Sequence, residues 1–230
     1  MPDSTTPSSP APAGQASAAH PEAERLEQRF AQRVGELRAR LESLDPAAIA
    51  QHSGATITRF ETGGQLELSL WDRPLAVTFP GFTVRWTDTG DGANPFDQAL
   101  VLYYLSTADG APLLDGWVSF ADLPDGRFYV QAFNGYTGQE LAKAFGDDRF
   151  AFEQAAQQLG GEPFALGDAA YRFLPLPRAP LAVVYWQGDE DFPASCQLLF
   201  NTAASHYLPT DAYAILGSTL TRRLIRRLAR

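Results

Sequence analysis

The sequence predicts an α+β protein in which helices pack on a mostly antiparallel β-sheet around a single core. Leucines alternate with polar residues from Leu66 to Leu70, as in a strand with one buried face. Two apolar runs, Leu181–Trp186 and Cys196–Phe200, lie on either side of a short polar turn and predict a central antiparallel hairpin. Apolar residues recur every three or four positions before and after these strands, which is typical of amphipathic helices.

The N-terminal part of the chain divides into two segments of different composition. Residues 1–21 are rich in Ser, Pro and Ala and predict a disordered tail, because they offer few side chains to bury. Residues 22–44 carry apolar side chains at helical spacing and predict an amphipathic helix that ends before Pro46. This helix either packs on its own domain or forms a dimer as a short coiled coil. Residues 45–230 are predicted to form a single α+β domain.

The segment that follows predicts a β-meander. A short helical turn at residues 47–51 comes first, and Gly or Pro residues then separate several runs of strand-forming residues. The predicted strands span residues 56–60, 66–71, 75–79 and 82–86, with turns at 63–64, 72–74 and 80–81. Since each turn is short, neighbouring strands are expected to pair antiparallel.

Helix signals dominate the middle of the chain. Asn94 followed by Pro95 is typical of a helix N-terminus, and it predicts a helix at 96–106 that is apolar on nearly every side and therefore buried. Thr137 and Glu140 match the capping-box pattern at the start of another helix. The remaining predicted elements are strands at 113–120 and 171–174, a helix at 150–159 that ends at Gly160, and a final helix from Asp211.

The chain has a formal net charge of −9, and this charge is unevenly distributed. Five arginines occur between Arg222 and Arg230 with no acid among them, so residues 1–221 carry −14. A body of this charge repels nucleic acid and anionic membranes, which disfavours nucleic-acid binding. The arginine-rich C-terminus either contacts an acidic partner, RNA or a membrane surface, or compensates the helix dipole and the acids of the chain.

Cysteine usage and hydropathy indicate a cellular compartment. Cys196 is the single cysteine, which excludes an intrachain disulfide and any all-cysteine metal site made by one chain. The first residues lack the basic and apolar regions of a secretory signal, and no apolar run approaches the ~20 residues that span a bilayer. A soluble cytoplasmic protein without a transmembrane segment is therefore expected.

A turn with three consecutive acids is the first candidate for a functional site. These acids lie between the two strands of the central hairpin. Hard cations take several oxygen ligands, so the acids predict either a cation site or a solvated turn. The candidate ligand-binding residues are these three acids and four polar or aromatic residues near them in sequence. They are Asp189, Glu190, Asp191, Trp186, Asn201, His206 and Asp211.

Two further patterns resemble catalytic motifs. Cys196 and His206, with a nearby acid, are the residue types of a thiol nucleophile and its base, but strand alternation places Cys196 on the apolar face of the hairpin. We therefore expect a core cysteine and a structural histidine. Asp88-Thr-Gly90 matches the aspartic-protease tripeptide, but those enzymes need two copies and this sequence has one, so a turn is expected. Glycine-rich phosphate-binding motifs are absent from the sequence.

Several motifs between Asp45 and Gly217 are similar, in content and in order, to those of a known family. They are Leu100-Val-Leu-Tyr-Tyr-Leu105, Gly116-Trp-Val-Ser-Phe120, Leu159-Gly-Gly161, Trp186-Gln-Gly-Asp-Glu190 with Phe192-Pro193, Leu199-Phe-Asn-Thr-Ala203 and Leu208-Pro-Thr-Asp211. The chain resembles an uncharacterised bacterial and archaeal family, domain of unknown function 3786. Some members resemble fusions to the cysteine-rich iron–sulfur module of corrinoid proteins, an arrangement from which this one-cysteine chain departs. The resemblance supplies no catalytic residues.

Three functions are compatible with these patterns. A non-catalytic ligand-binding or accessory domain is favoured by the supply of 15 Phe, 8 Tyr and 4 Trp and by the lack of a catalytic motif. The second is a metal-dependent hydrolase that uses Asp189–Asp191 with His206. The third is an assembly factor that docks a protein through its terminal helices. The sequence therefore indicates a small molecule or a protein as the partner, without identifying a ligand, cofactor or metal.

Overall fold

The computed structural model describes the backbone of residues 21–228 and the side chains of residues 31–228. The predicted tail lies outside the described residues except for Pro21, and so do the last two residues. The α+β class is confirmed, but the strands form two antiparallel sheets, of four and five strands, rather than one. In the chain, a helix separates the meander strands from the second set of strands, and each set forms its own sheet.

Helices lie at both ends of the described chain and between the two groups of strands. The helices are α1 (Pro21–Glu42), α2 (Pro46–Ser53), α3 (Pro95–Thr107), α4 (Val130–Tyr136), α5 (Gly138–Phe145), α6 (Arg149–Gln158) and α7 (Thr210–Leu228). The strands are β1 (Thr56–Arg59), β2 (Gly64–Leu70), β3 (Arg73–Phe79), β4 (Val84–Trp86), β5 (Trp117–Ser119), β6 (Glu162–Pro163), β7 (Ala169–Phe173), β8 (Leu181–Trp186) and β9 (Ser195–Asn201). Within the described range, no helix is both long and apolar enough to cross a bilayer.

The four-stranded sheet is the predicted meander, with β1 to β4 in chain order. Its alternation is confirmed, because Leu66, Leu68 and Leu70 are buried while the residues between them are half-buried. One turn differs from the prediction: Leu70 pairs with Arg73, so the β2–β3 turn consists of two residues, and Pro74 belongs to β3. Proline is tolerated there because it lies near the start of the strand.

The five-stranded sheet has the order β5-β9-β8-β7-β6, so the predicted hairpin β8–β9 lies inside it. Leu181 pairs with Phe200 at one end of this hairpin, and Trp186 pairs with Ser195 at the other. The first edge strand, β5, is shorter than predicted and begins only at Trp117. The opposite edge strand, β6, was not predicted, because two residues are too few for an alternation signal.

The first helix packs within the chain. Val34, Leu37 and Leu41 are buried in the main core, and α1 runs along α3. Arg38 of α1 donates hydrogen bonds to the carbonyl of Phe82 (3.2 Å) and to the Gln98 side chain (2.9 Å). The apolar face of α1 at Val34, Leu37 and Leu41 therefore packs against its own chain, and these residues are not free to form a dimer interface.

The capping box predicted at Thr137 is not formed. The Thr137 hydroxyl donates a hydrogen bond to the Phe133 carbonyl (2.5 Å) instead of capping α5. The reason is that α4, a helix absent from the prediction, ends directly before Thr137 and supplies a carbonyl one turn earlier. In contrast, Asn94 caps α3 as predicted, accepting hydrogen bonds from two backbone N–H groups at 3.0 Å.

The two faces of the five-stranded sheet are covered differently. Helix α5 packs on β9 at the inner face, and α7 packs against α5 and α6, so this face joins the main core. The apolar stripe of α7, including Leu216, Leu220 and Leu224, is buried there, so these leucines pack within the protein. The outer face carries a separate small cluster built on Ala170, Ala182, Val184 and Leu199, against which Trp117, Phe164 and Trp186 pack.

Candidate functional site

The acidic turn stabilises its own backbone. One carboxylate oxygen of Asp189 accepts hydrogen bonds from the N–H groups of Asp191 (2.9 Å) and Phe192 (2.8 Å). The side chains of Glu190 and Asp191 are exposed to solvent. Aspartate commonly makes this contact with backbone N–H groups a few residues ahead, and it accounts for Asp189 without a bound ligand.

The structure separates the acidic turn from three of the residues that were predicted to share its site, although Trp186 lies near the turn. The turn precedes Ser195, whereas Asn201 ends β9 at its other end and His206 and Asp211 come after it. A seven-residue strand is about 20 Å long at the usual rise of ~3.4 Å per residue. Within the part of the chain that is described, no three His, Cys, Asp or Glu side chains are grouped as metal ligands. The metal site that joined Asp189–Asp191 to His206 is therefore not formed.

His206 pairs with a different acid. Its Nδ1 lies 2.7 Å from the Asp109 carboxylate, and both side chains are about half exposed. This hydrogen bond, with a second from the backbone N–H of Ala111, lowers the pKa of Asp109 below its usual value. The pair connects the turn after α3 to the turn before α7, which is a structural role.

Asp88, the aspartate of the protease-like tripeptide, also has a structural partner. Arg73 donates two hydrogen bonds to its carboxylate, at 2.8 and 3.0 Å, and lowers its pKa. The same guanidinium lies 4.0 Å from the centre of the Trp86 ring. The turn interpretation therefore agrees with the contacts that Asp88 makes.

Cys196 is half-buried and packs against the main core, as strand alternation predicted. Burial raises the pKa of its thiol to about 12. Its thiolate is therefore almost absent near neutral pH, which is unfavourable for a nucleophile.

We expect Cys196 to react much more slowly with dithionitrobenzoate in the folded protein than in urea. At about pH 8 a thiol with a pKa of about 12 is ~10⁻⁴ ionised, against ~10⁻¹ in an unfolded chain, so the rate should differ by about 10³-fold. The same shift makes the folded state less stable as the pH rises from about 9 towards 12, because the unfolded thiol ionises first. Equal rates in both states would contradict the burial described.

A cavity lies beside the five-stranded sheet, at the end opposite the acidic turn. It has a volume of about 680 Å³ and extends from the end of β7 and β9 to the β2–β3 turn of the other sheet. We call it the trough, and its walls include Trp71, Asp72, Trp117, Phe164, Arg172 and Asn201. Cavities of ~300–1,000 Å³ are usual for small-molecule sites.

Aromatic rings form two walls of the trough. Trp117 stacks on Phe164 with 5.4 Å between ring centres, so that segments at both edges of the sheet meet over its outer face. Trp71, in the β2–β3 turn, also lines the trough; it is half-buried, and Arg223 of α7 lies 4.9 Å from its ring centre. Flat ligands pack well against such rings, because aromatic pairs favour offset stacking.

The β2–β3 turn holds its two residues in an unfavourable backbone conformation. Trp71 has φ +54° and Asp72 has φ +64°, in the left-handed region that Asn and Gly usually occupy in two-residue hairpin turns. The Trp71 N–H donates to the Pro175 carbonyl (2.9 Å), which fixes this turn on the segment between β7 and β8. A left-handed conformation costs a non-glycine residue roughly 1–3 kcal/mol, and such strain is concentrated at functional sites.

Asn201 positions the opposite rim. Its amide is buried, donating to the Leu114 carbonyl (2.5 Å) and accepting from the Ala203 N–H (3.0 Å). These bonds hold the segment before β5, which places Leu113, Leu114 and Asp115 on the trough. Both leucines are exposed, so the rim offers apolar surface to a ligand.

Acids outnumber bases around the trough. Asp72, Asp115 and Glu162 line it together with one base, Arg172, which forms a salt bridge with Glu162 (2.6 Å). Behind the Trp71 wall, burial lowers the pKa of Arg223, and the charge of Asp72 opposes that shift. An uncharged or cationic ligand therefore suits the trough better than an anion.

The trough contains one residue of the predicted site, Asn201. Trp186 lies on the same outer face of the sheet, but at the end near the acidic turn. Trp71, Trp117, Phe164 and Arg172 were not identified from the sequence. The one available signal was the two-residue connection at Trp71-Asp72, where neither residue is the usual glycine.

A family model described as Domain of unknown function (DUF3786) matches residues 45–223. This match covers every residue named in the trough. No curated protein is significantly similar to the chain, and no solved structure is significantly similar to it either. The geometry of the trough is therefore the main source of information about function.

Proposed function

The chain belongs to the family of domains of unknown function DUF3786, and from its geometry we propose that it is a non-catalytic domain that binds a flat small molecule in the trough. The observation that supports this proposal is the cavity of about 680 Å³ that is lined by Trp71 and by the stacked rings of Trp117 and Phe164. Apolar residues in such a site bury the ring of a flat ligand, and a few polar residues orient it by hydrogen bonds.

The charges around the trough favour a particular class of ligand. Trp71 and Trp117 give the lining aromatic surface, and Asp72 and Asp115 add negative charge to it. An aromatic amine satisfies both features, whereas an aromatic acid is repelled. The role of the Asp72 and Asp115 carboxylates is to attract a cationic ligand, and none of the lining residues is a Cys, Ser or His, which is consistent with a carrier or accessory role.

Three indole probes that differ in charge test the proposal. We expect tryptamine, a cation, to bind more tightly than uncharged indole, and indole-3-acetate, an anion, to bind least. A ligand of this size should have a Kd on the order of 1 mM, which saturation-transfer NMR can measure. Trp117→Ala should weaken tryptamine binding by about tenfold or more, because it removes one stacking wall. Asp72→Asn should reduce the preference for tryptamine over indole while retaining a residue that tolerates the turn.

Two variants keep this test interpretable. Phe192→Ala removes an exposed ring, 72% accessible, at the acidic turn and should leave binding unchanged. Leu174→Trp fills the trough from its exposed rim and should block the probe without removing a core contact. The proposal is wrong if Phe192→Ala abolishes tryptamine binding, if Trp117→Ala and Leu174→Trp both bind tryptamine normally, or if indole-3-acetate binds best of the three probes.

A further inference from the structure

A second hollow, distinct from the trough, lies between α4 and α7. It has a volume of about 670 Å³, and we call it the α4–α7 groove. Its walls include the apolar or aromatic side chains of Phe120, Tyr129, Ala132, Tyr136, Leu208 and Ile215, together with smaller apolar and polar groups. The Thr210 hydroxyl donates to the Pro124 carbonyl (2.6 Å), which ties the start of α7 to the segment before α4. Two helices with a fixed spacing form a groove of the kind that receives a third helix.

The surface beside the groove is unusually apolar. Phe128 is 82% accessible, Tyr129 is 66% accessible and Tyr136 is 44% accessible, although all three are large aromatic residues. Scattered exposed apolar residues are normal, but a group that adjoins an apolar hollow is typical of a protein interaction site. Aromatic residues also contribute strongly to binding energy at such interfaces.

The charges at the groove identify the kind of partner. Asp125 lies before α4 and Asp211 lies in the first turn of α7, and both line the groove. Neither carboxylate forms a salt bridge with the residues that the structure describes, and no Lys or Arg is among the lining residues. Arg127 is exposed outside the lining and acts on Asp122, and Arg33, which lines an adjoining cavity together with Asp211, is paired with Glu36. The groove therefore complements a segment that is apolar on one face and cationic at its margins.

We propose that the α4–α7 groove binds a basic amphipathic helix of a partner protein. The apolar face of that helix packs on Tyr129, Ala132, Tyr136 and Ile215, and its Lys or Arg side chains pair with Asp125 and Asp211. This surface is independent of the trough, so either site functions without the other. The net charge of −9 on the whole chain also favours a cationic partner over an acidic one.

Fluorescence anisotropy with model peptides tests this inference on the full chain. The probe is a labelled peptide of about four helical turns, built of Leu and Lys with all leucines on one face. We expect it to bind with a Kd on the order of 10 µM, and the same peptide with Glu in place of Lys to bind at least about tenfold more weakly. Replacing both Asp125 and Asp211 with Asn should weaken the Leu/Lys peptide by about three- to tenfold.

Matched variants on α4 locate the binding surface. Ala132 is exposed in the groove, so Ala132→Trp should fill it and weaken the peptide by about tenfold or more, whereas Gln131→Trp, outside the groove, should have no effect. The inference is overturned if Ala132→Trp and Gln131→Trp weaken peptide binding equally, or if Ala132→Trp does not weaken it. It is also overturned if the Glu peptide binds as tightly as the Lys peptide. Sedimentation tests whether a second copy of this chain occupies the groove instead. If the unmodified chain is a dimer and Ala132→Trp dissociates it, the groove is a self-association surface and the inference is wrong.

Discussion

Replacement of Phe200 by alanine is expected to lower the free energy of unfolding by about 4 kcal/mol, the usual cost of emptying a fully buried aromatic site. Phe200 is 0% accessible and is the next-to-last residue of β9. Its ring centre lies 5.2 Å from that of Tyr213, 5.8 Å from that of Phe133 and 6.0 Å from that of Phe120. These rings come from β9, α4, α7 and the turn after β5, so the cavity cannot collapse by the shift of one element.

Urea denaturation followed by far-ultraviolet circular dichroism measures this loss. Phe192→Ala is the matched control, because Phe192 is 72% accessible and its removal should cost less than about 0.5 kcal/mol. Similar midpoints for the two variants would show that Phe200 does not hold the five-stranded sheet to its helices. Since Phe200 faces the helices and not the trough, this loss of stability is separate from any loss of ligand binding.

Gly138→Ala should also destabilise the protein, by about 3 kcal/mol, because the added methyl group has no room. A Cβ at Gly138 would lie 2.3 Å from the carbonyl oxygen of Cys196, a backbone atom that cannot rotate away. Gly138 is the first residue of α5, and this close approach lets α5 pack directly on β9. The variant must therefore move α5 away from the sheet.

Gly35→Ala is expected to stabilise the protein, if lack of space is the reason why Gly138→Ala destabilises it. Gly35 lies inside α1, and a Cβ there has no atom within 4 Å. Alanine should therefore stabilise the protein by up to about 1 kcal/mol through its higher helix propensity. Chemical denaturation of both variants under the same conditions provides the comparison, and stabilisation by Gly138→Ala would refute the packing between α5 and β9.

Local signals in the sequence were sufficient for many elements. Asn94 and Pro95 predicted the start of α3 because the cap needs only the side chain of Asn94 and the next backbone N–H groups. The alternation at Leu66–Leu70 predicted one buried face of β2 for a similarly local reason, since successive strand residues point to opposite faces. These features depend on residues that are neighbours in the chain.

Other features were wrong or absent in the prediction because distant contacts decide them. Thr137 satisfies the capping-box pattern, but the presence of α4 gives its hydroxyl a different acceptor. The β2–β3 turn is shorter than the Gly and Pro pattern indicated, because pairing of Leu70 with Arg73 sets its length. The turn conformation at Trp71 is then maintained by a hydrogen bond to Pro175, about a hundred residues further along the chain.

The α+β class, the hairpin β8–β9 and the inward direction of Cys196 could be predicted because each depends on residue types at short spacing, and the family could be predicted from the content and order of its motifs. Which side chains share a cavity could be seen only after the chain was folded. Antiparallel pairing places the acidic turn and Asn201 at opposite ends of β9, although they are close in sequence. It also brings Trp117 and Phe164, from separate parts of the chain, into one stack. Strand direction and register determine these distances, and neither is encoded in local spacing.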